Sequence, residues 1–239
     1  VPIQSFFITS DSPQDPEKCF QWKKFDCEIK DSQGHVFFAQ KNVEAPAQWS
    51  QLAVEIAASK YFRKVGVPRK ISVSGQETSV RQMVRRVVGA ITKAGKEQKV
   101  LKTAAEAKIF SQELSFILLS QKASFNSPVW FNCGLFQSYG IETDSSHYSW
   151  NPKKKKVVPV QGAYKNPQVS ACFIQKVEDD LESIFDLLKS EAKLFKFGSG
   201  SGTNFSNFRS KYELLSGGGT SSGIMSFLEI FDRGAGSIK

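Results

Sequence analysis

The chain has 239 residues, 40% of them hydrophobic, with 32 Lys and Arg against 23 Asp and Glu and a formal net charge of +9. That length allows one large domain or two small ones with core enough to fold unstapled, and four scattered cysteines (Cys19, Cys27, Cys133, Cys172) argue against a disulfide framework and offer no zinc spacing or other metal set. No basic leader and no membrane-length apolar run is present, so the expectation is a soluble, cytoplasmic protein with no membrane contact, whose positive charge favours anionic partners.

Residues 1–18 are polar and proline-bearing and read as a loose arm. From Cys19 the alternation of Phe25, Cys27 and Ile29 with Asp26, Glu28 and Lys30 predicts a β-hairpin whose turn is supplied by Gly34. Three helices are predicted next. The first runs from near Pro46 to Gly66, with Leu52, Ile56 and Tyr61 in register. The second is capped by Ser79, with Val80, Met83, Val84, Val87 and Ile91 on one face and Arg81, Arg85 and Arg86 off it on an exposed face. The third opens on the capping-box pattern Thr103-x-x-Glu106, with Ile109, Phe110, Leu114, Ile117 and Leu118 as its apolar face. The hairpin and helices make an N-terminal domain over residues 19–124.

At Phe125 the texture changes, which sets a second domain at 125–239. "SFNSPVWFNCG" reads as a short β-forming stretch with an Asx or Ser turn at Asn126–Ser127. Residues 137–168 form a long polar, flexible insertion containing the run Lys153–Lys156, read as solvated. "QVSACFIQKV" is a buried-strand candidate with Cys172 in its middle, and "EDDLESIFDLLKSEAKLFKFG" is an amphipathic helix with Asp179 and Asp180 at its start and Gly198 at its end. Two glycine-dense stretches follow, "GSGSG" at 198–202 and "SGGGTSSG" at 216–223, then a last helix, "GIMSFLEIFDRGAGSIK". A strand–helix–loop–helix unit of parallel-sheet character suggests the front part of a larger catalytic body.

Neither glycine stretch fits a P-loop or a dinucleotide fingerprint. Their bare N–H groups, with Arg209 and Lys211 nearby, suit a phosphate; a close-packed structural turn is the other reading, and both stand. Cys172 is a buried apolar cysteine or a redox thiol. His35 and His147, the only histidines, leave no place for an internal Ser–His–Asp triad. No recognised nucleic-acid motif is present, so no nucleic-acid partner is expected.

"ASFNSPVWFNCG", "PQVSACFI", "EDDLESIFDLLK" and "FGSGSGTNFSNFRSKYELLSGGGTSSGIMSFLEIFDRGAGSIK", in that order, resemble the N-terminal portion of the class II, adenosylcobalamin-dependent ribonucleotide reductases. "FAQKNVEAPAQWSQLA" and "TSVRQMVRRVV" are similar to the long bacterial branch of that family. The resemblance implies an α+β fold: an N-terminal β-hairpin and helical region leading into the first part of a ten-stranded α/β barrel. It implies an enzyme of the ribonucleoside-diphosphate reductase type that reduces a ribonucleotide at its 2′-carbon by thiyl-radical chemistry. Cys172 becomes one half of the catalytic redox pair; Ser127, Ser170, Ala171 and Gly200 become substrate-binding; Asp179, Arg209 and Lys211 become ligands of a dNTP allosteric effector; and Ser210–Gly219 becomes a specificity loop. Adenosylcobalamin, a ribonucleotide substrate, a thioredoxin-type reductant and the C-terminal part of the reductase are the implied cofactor and partners. A homodimer would pair through 179–198 and 223–238. No "N-x-C-x-E"-like segment occurs, so the radical cysteine and second redox cysteine are expected on a C-terminal part. A non-catalytic dNTP-binding regulatory fragment is the alternative reading.

Overall fold

Alternating apolar residues and a turn that only a left-handed residue closes set the first element. In the computed structural model, which describes residues 3–214 and 217–238, β1 (Trp22–Lys30) and β2 (Val36–Pro46) pair antiparallel, from Trp22 opposite Pro46 to Lys30 opposite Val36. The Asp31 carboxylate accepts from the N–H groups of Gln33 and His35 at 2.8 and 2.9 Å, and Gly34 takes φ +88°. The register slips between Phe25 and Cys27, where Asn42 stands at φ +56° with its N–H on Asp26. Phe25 and Cys27 both turn inward, as the alternation predicts.

The first predicted helix is shorter than expected. β2 runs through Pro46, so α1 (Gln51–Ile56) waits for Ser50, whose hydroxyl accepts from Ala53 N–H at 3.1 Å. A wider π turn, Ala57–Tyr61, follows and ends at Phe62. That change of pitch rotates the inner face: Val54, Ala57 and Ala58 are buried while Leu52 and Ile56 are exposed. α2 (Val80–Glu97) and α3 (Ala104–Leu119) open on the two capping boxes, Ser79 with Gln82 and Thr103 with Glu106. Val80, Met83, Val84 and Val87 join Phe25, Val43, Val54, Leu118, Leu119 and Trp130 in one core.

The stretch read as β-forming is helical. Asn126 caps α4 (Ser127–Asn132), its side chain accepting from Val129 N–H at 3.2 Å, and Pro128 fits the first turn, where a missing N–H costs nothing. α5 (Leu135–Tyr139) lies between Gly134 and Gly140, both left-handed. Residues 3–18 are fastened rather than loose. The Glu113 carboxylate accepts from Phe6, Phe7 and Ile8 N–H at 2.9–3.0 Å, and Ile8 is buried. The polar insertion holds a further hairpin, β3 (Ser146–Asn151) with β4 (Lys156–Gln161).

Of the three arginines expected on an exposed face, Arg85 is exposed and Arg81 partly so, while Arg86 is the largest departure. Arg86 is 1% exposed and its partner Glu77 0%. The Arg86 Nε donates to Glu77 Oε1 at 2.7 Å, and its Nη atoms donate to the carbonyls of Cys133 (2.8 Å) and Tyr61 (3.1 Å). Glu77 also accepts from Arg63 N–H at 2.7 Å and from the Tyr139 hydroxyl at 2.6 Å. Arg81 and Arg85 both grip the buried carboxylate of Glu17, and Arg81 stacks 3.5 Å over the Trp22 ring.

The chain divides into two compact units, 1–169 and 170–239; the sequence texture changes earlier, at Phe125. In the second unit β5 (Cys172–Lys176), α6 (Leu181–Lys196) and β6 (Gly200–Asn204) form a strand–helix–strand unit, followed by α7 (Ile224–Ser237). β5 and β6 are parallel, Cys172 opposite Gly200 and Lys176 opposite Asn204. The first glycine stretch, read as a loop, therefore enters a strand at Gly200. Val177, Ile184, Leu187 and Phe231 form this unit's core, with Phe205, Phe208 and Phe227 packed on it. Among the described residues the strands form two-stranded sheets and no closed barrel, and no helix is long and apolar enough to cross a membrane. Ser216, at the head of the second glycine stretch, Leu215 in the expected specificity loop, and Lys239 lie outside the described residues.

Replacing Arg86 by Met strands a buried carboxylate, and the unfolding free energy should fall by about 3–5 kcal/mol. Replacing Lys93, whose ion pair with Glu97 is exposed on the same helix, should leave the urea midpoint unchanged. Parallel urea titrations of the two variants check both.

Candidate active site

The start of the β5–β6 ladder gathers four of the residues singled out in the sequence. Gly200 N–H donates to the Ala171 carbonyl at 2.6 Å, and the Ser199 hydroxyl donates to the Ser170 carbonyl at 2.8 Å. These two bonds bring the Ser170–Cys172 segment edge to edge with Gly200. Because paired residues in a ladder share a face, Cys172, Ile174, Gly200 and Gly202 line one side of the sheet. The glycines leave that side half bare: a Cβ at Gly200 would meet nothing closer than 3.7 Å, and one at Gly202 would crowd the Ile174 side chain at 3.2 Å. On the opposite side the Gln175 amide donates to the Ser201 hydroxyl at 2.8 Å.

Cys172 is a free thiol and is exposed, not buried in mid-strand as the run "VSACFI" suggests. The cause is local. Cys172 is the first residue of β5, it faces the side that α6 does not cover, and its cross-strand partner has no side chain. Ile174, next on that face, is likewise almost fully exposed. Cys27 and Cys133 are the contrasting case: burial pushes each thiol up to about 11, which keeps them protonated at neutral pH.

Asp179 and Arg209 meet each other. The Arg209 Nε donates to Asp179 Oδ2, its Nη2 donates to the Asp179 carbonyl at 3.2 Å, and its backbone N–H reaches Oδ2 at 3.3 Å. The hydrogen bond to Asp179 raises the guanidinium's already high pKa further. Helix capping falls instead to Asp180, which accepts from Ser183 N–H at 2.9 Å. Lys211, two residues beyond Arg209, places its ammonium 5.0 Å from the centre of the Tyr212 ring. Beside it the chain is tight: a Cβ at Gly223 would stand 3.0 Å from that of Lys211. The turn after Arg209 closes on Glu213, which accepts from Ser210 N–H at 2.7 Å.

Ser127 belongs to the first unit. It opens α4, and its hydroxyl shares a 3.1 Å hydrogen bond with the Tyr61 hydroxyl. The sequence reading does not single out Glu77 or Tyr139, takes Tyr61 only as part of an apolar helix face, and puts Arg86 on the wrong face. The available signal was the position of Arg86 in α2, directly before Val87 and three residues after Met83, inside the apolar stripe. Among the described residues no group of three or more His, Cys, Asp or Glu is arranged to hold a metal ion.

Residues 23–121 match the family model described as class II vitamin B12-dependent ribonucleotide reductase, and residues 170–239 match that of the ribonucleotide reductase barrel domain. The vitamin B12-dependent ribonucleotide reductase of Rhodopirellula baltica is 42% identical over 239 residues, covering 100% of this chain and 22% of that protein. Its namesake in Agrobacterium fabrum is 41% identical over 251 residues, covering 92% and 20%, and that of Streptomyces clavuligerus 44% over 207 residues, covering 86% and 18%. The chain spans about a fifth of the length of these curated relatives.

Iodoacetamide added to the native chain at pH 8 should alkylate Cys172 first and spare Cys27 and Cys133 until denaturant is added. Peptide mapping by mass spectrometry reads the order, and labelling of Cys27 or Cys133 at the rate of Cys172 would contradict this geometry.

Proposed function

Because the chain belongs to the class II, vitamin B12-dependent ribonucleotide reductase family, we propose that it supplies the substrate-facing front of an enzyme that converts ribonucleotides to deoxyribonucleotides. The observation that carries this reading is the exposed Cys172 thiol beside the bare backbone of Gly200. A sugar can approach the thiol there without meeting a side chain on the neighbouring strand, with Ser170 and Ala171 at its edge. Ser127, which shares a hydrogen bond with Tyr61, is proposed separately as a substrate contact.

In the proposed reaction Cys172 and a second thiol are oxidised together to a disulfide. Their two electrons and two protons replace the 2′-hydroxyl of the ribose by hydrogen and release that oxygen as water. The second thiol and the radical-forming thiol are assigned to the part of the relatives that this chain does not span, where the barrel's remaining strands are also expected. A thioredoxin-type dithiol then returns the disulfide to thiols. The contacts to cobalamin are assigned mostly to the part of the relatives that this chain does not span, and the thiyl-radical step is assigned there as well.

Asp179, Arg209 and Lys211 are proposed as the dNTP effector site. Asp179 already holds the Arg209 guanidinium in a fixed plane, so a triphosphate meets an oriented fork rather than a floppy cation. The exposed apolar side chains Leu181 and Phe185 on α6, and Met225 and Ile230 on α7, support pairing of two copies through 179–198 and 223–238.

In the full-length reductase, Cys172→Ser should lower turnover with a thioredoxin-type reductant by at least about a hundredfold, a chemical loss rather than a folding one because the side chain is exposed. Full retained turnover would remove Cys172 from the redox pair. Arg209→Ala should weaken dNTP binding by roughly tenfold or more, the value of a lost charge-assisted hydrogen bond, as read by calorimetry.

A further inference from the structure

The β3–β4 hairpin carries its apolar residues on the wrong side. Tyr148 pairs with Pro159 and Trp150 with Val157, so these four share one face, and it is the exposed one: Tyr148 is 72% accessible, Trp150 59% and Val157 60%. His147, Ser149, Val158 and Val160 make the other, partly covered face. A two-stranded sheet with one solvated face normally turns its polar residues outward. Here two aromatic rings stand in solvent, and the turn joining the strands, Pro152–Lys155, holds three of the four lysines Lys153–Lys156.

The hairpin is held at both ends. At the tip, Asn151 Oδ1 accepts from the N–H groups of Lys153 and Lys154, each at 3.0 Å, and Lys155 takes φ +47°. At the base, the Glu142 carboxylate accepts from Tyr164 and Lys165 N–H at 2.8 and 3.0 Å, and Gly162 N–H donates to the Ser145 carbonyl at 2.9 Å. His147 Nε2 lies 2.7 Å from the Asn166 carbonyl. Lysines serving only to block sheet-edge pairing would line the strands; three of these four sit in the turn that follows Trp150, and Lys156 opens β4.

Against the expectation from sequence motifs of no nucleic-acid partner and a merely solvated lysine run, we propose that this hairpin is a binding finger for single-stranded nucleic acid. Tyr148 and Trp150, two residues apart on one strand, stand about 6.8 Å apart along it. That is too far for two bases stacked on each other and suits one unstacked base per ring. The lysines meet the phosphates that flank those bases. Rings for bases with ammonium groups for the backbone is the usual division of labour in sequence-tolerant single-strand binding. An acidic polypeptide would use the lysines and leave the rings in water; a duplex offers no free base faces. The inference is independent of the role given to Cys172, so either can fail alone.

The test is fluorescence anisotropy of a labelled oligo(dT) titrated with the full-length reductase at several salt concentrations. Binding should weaken at least tenfold in Tyr148→Ala/Trp150→Ala, whose removed rings are exposed and support no core. In Lys153→Gln/Lys154→Gln/Lys156→Gln, which spares the left-handed Lys155, the slope of log K against log salt should become shallower by about 2. Ribonucleotide reduction should be unchanged in both. No binding by the unaltered enzyme at 50 mM salt, binding that survives both sets of substitutions, or displacement of the oligonucleotide by an equal charge of polyglutamate would each overturn the proposal, the last in favour of an acidic protein partner.

Discussion

A guanidinium and a carboxylate that never see water organise the first unit. Burying Arg86 and Glu77 is tolerable only because each is saturated. Arg86 spends its donors on Glu77 and on the carbonyls of Tyr61 and Cys133, while Glu77 takes the Arg63 N–H and the Tyr139 hydroxyl as well. The pair thereby ties α2 to the π turn before it and to the α4–α5 junction after it. Gly134 shows how closely these pieces approach, since a Cβ there would fall 2.1 Å from the Arg86 carbonyl oxygen. Through the Tyr61 backbone the same pair reaches Ser127, which the Tyr61 hydroxyl touches.

The second unit rests on the opposite device, the removal of side chains. Gly200 and Gly202 sit in a strand, where glycine is a poor choice for stability, and their benefit is an uncluttered sheet face beside Cys172. What the strand loses is offset by α6 and α7, whose buried Ile184, Leu187 and Phe231 pack with Val177 and a chain of edge-on and tilted phenylalanines. The glycine-rich sequence and the exposed thiol are thus two views of one arrangement.

Much of this was legible in the sequence, for identifiable reasons. Period-two alternation located β1 and β2, and the capping boxes at Ser79 and Thr103 located α2 and α3, because those signals are local. The motif resemblance pointed to the family that the comparisons support. Three of the departures have a clear physical reason. Arg86 reads as outside because charge is a good guide to exposure, and Glu77, nine residues before it and ahead of the Ser79 cap, stands at no helical spacing that would announce a partner. "GSGSG" was taken for a loop because a strand made of glycine is specified by its neighbour, through the Gly200 N–H bond to Ala171, and not by its own propensity. "NSPVWFN" was taken for extended chain because its aromatic and branched residues outweighed the Asn cap and the proline that start α4.

The Glu142 latch has a consequence of a different kind. The hairpin's entry and exit meet where Gly162 pairs with Ser145, and a single acidic residue pins the returning strand through two amide hydrogens. A segment whose ends close on themselves in this way can be lengthened, trimmed or exchanged over evolutionary time without disturbing the body that carries it. Residues 146–161 can therefore be exchanged as a cassette while the Glu142 latch keeps the two ends together.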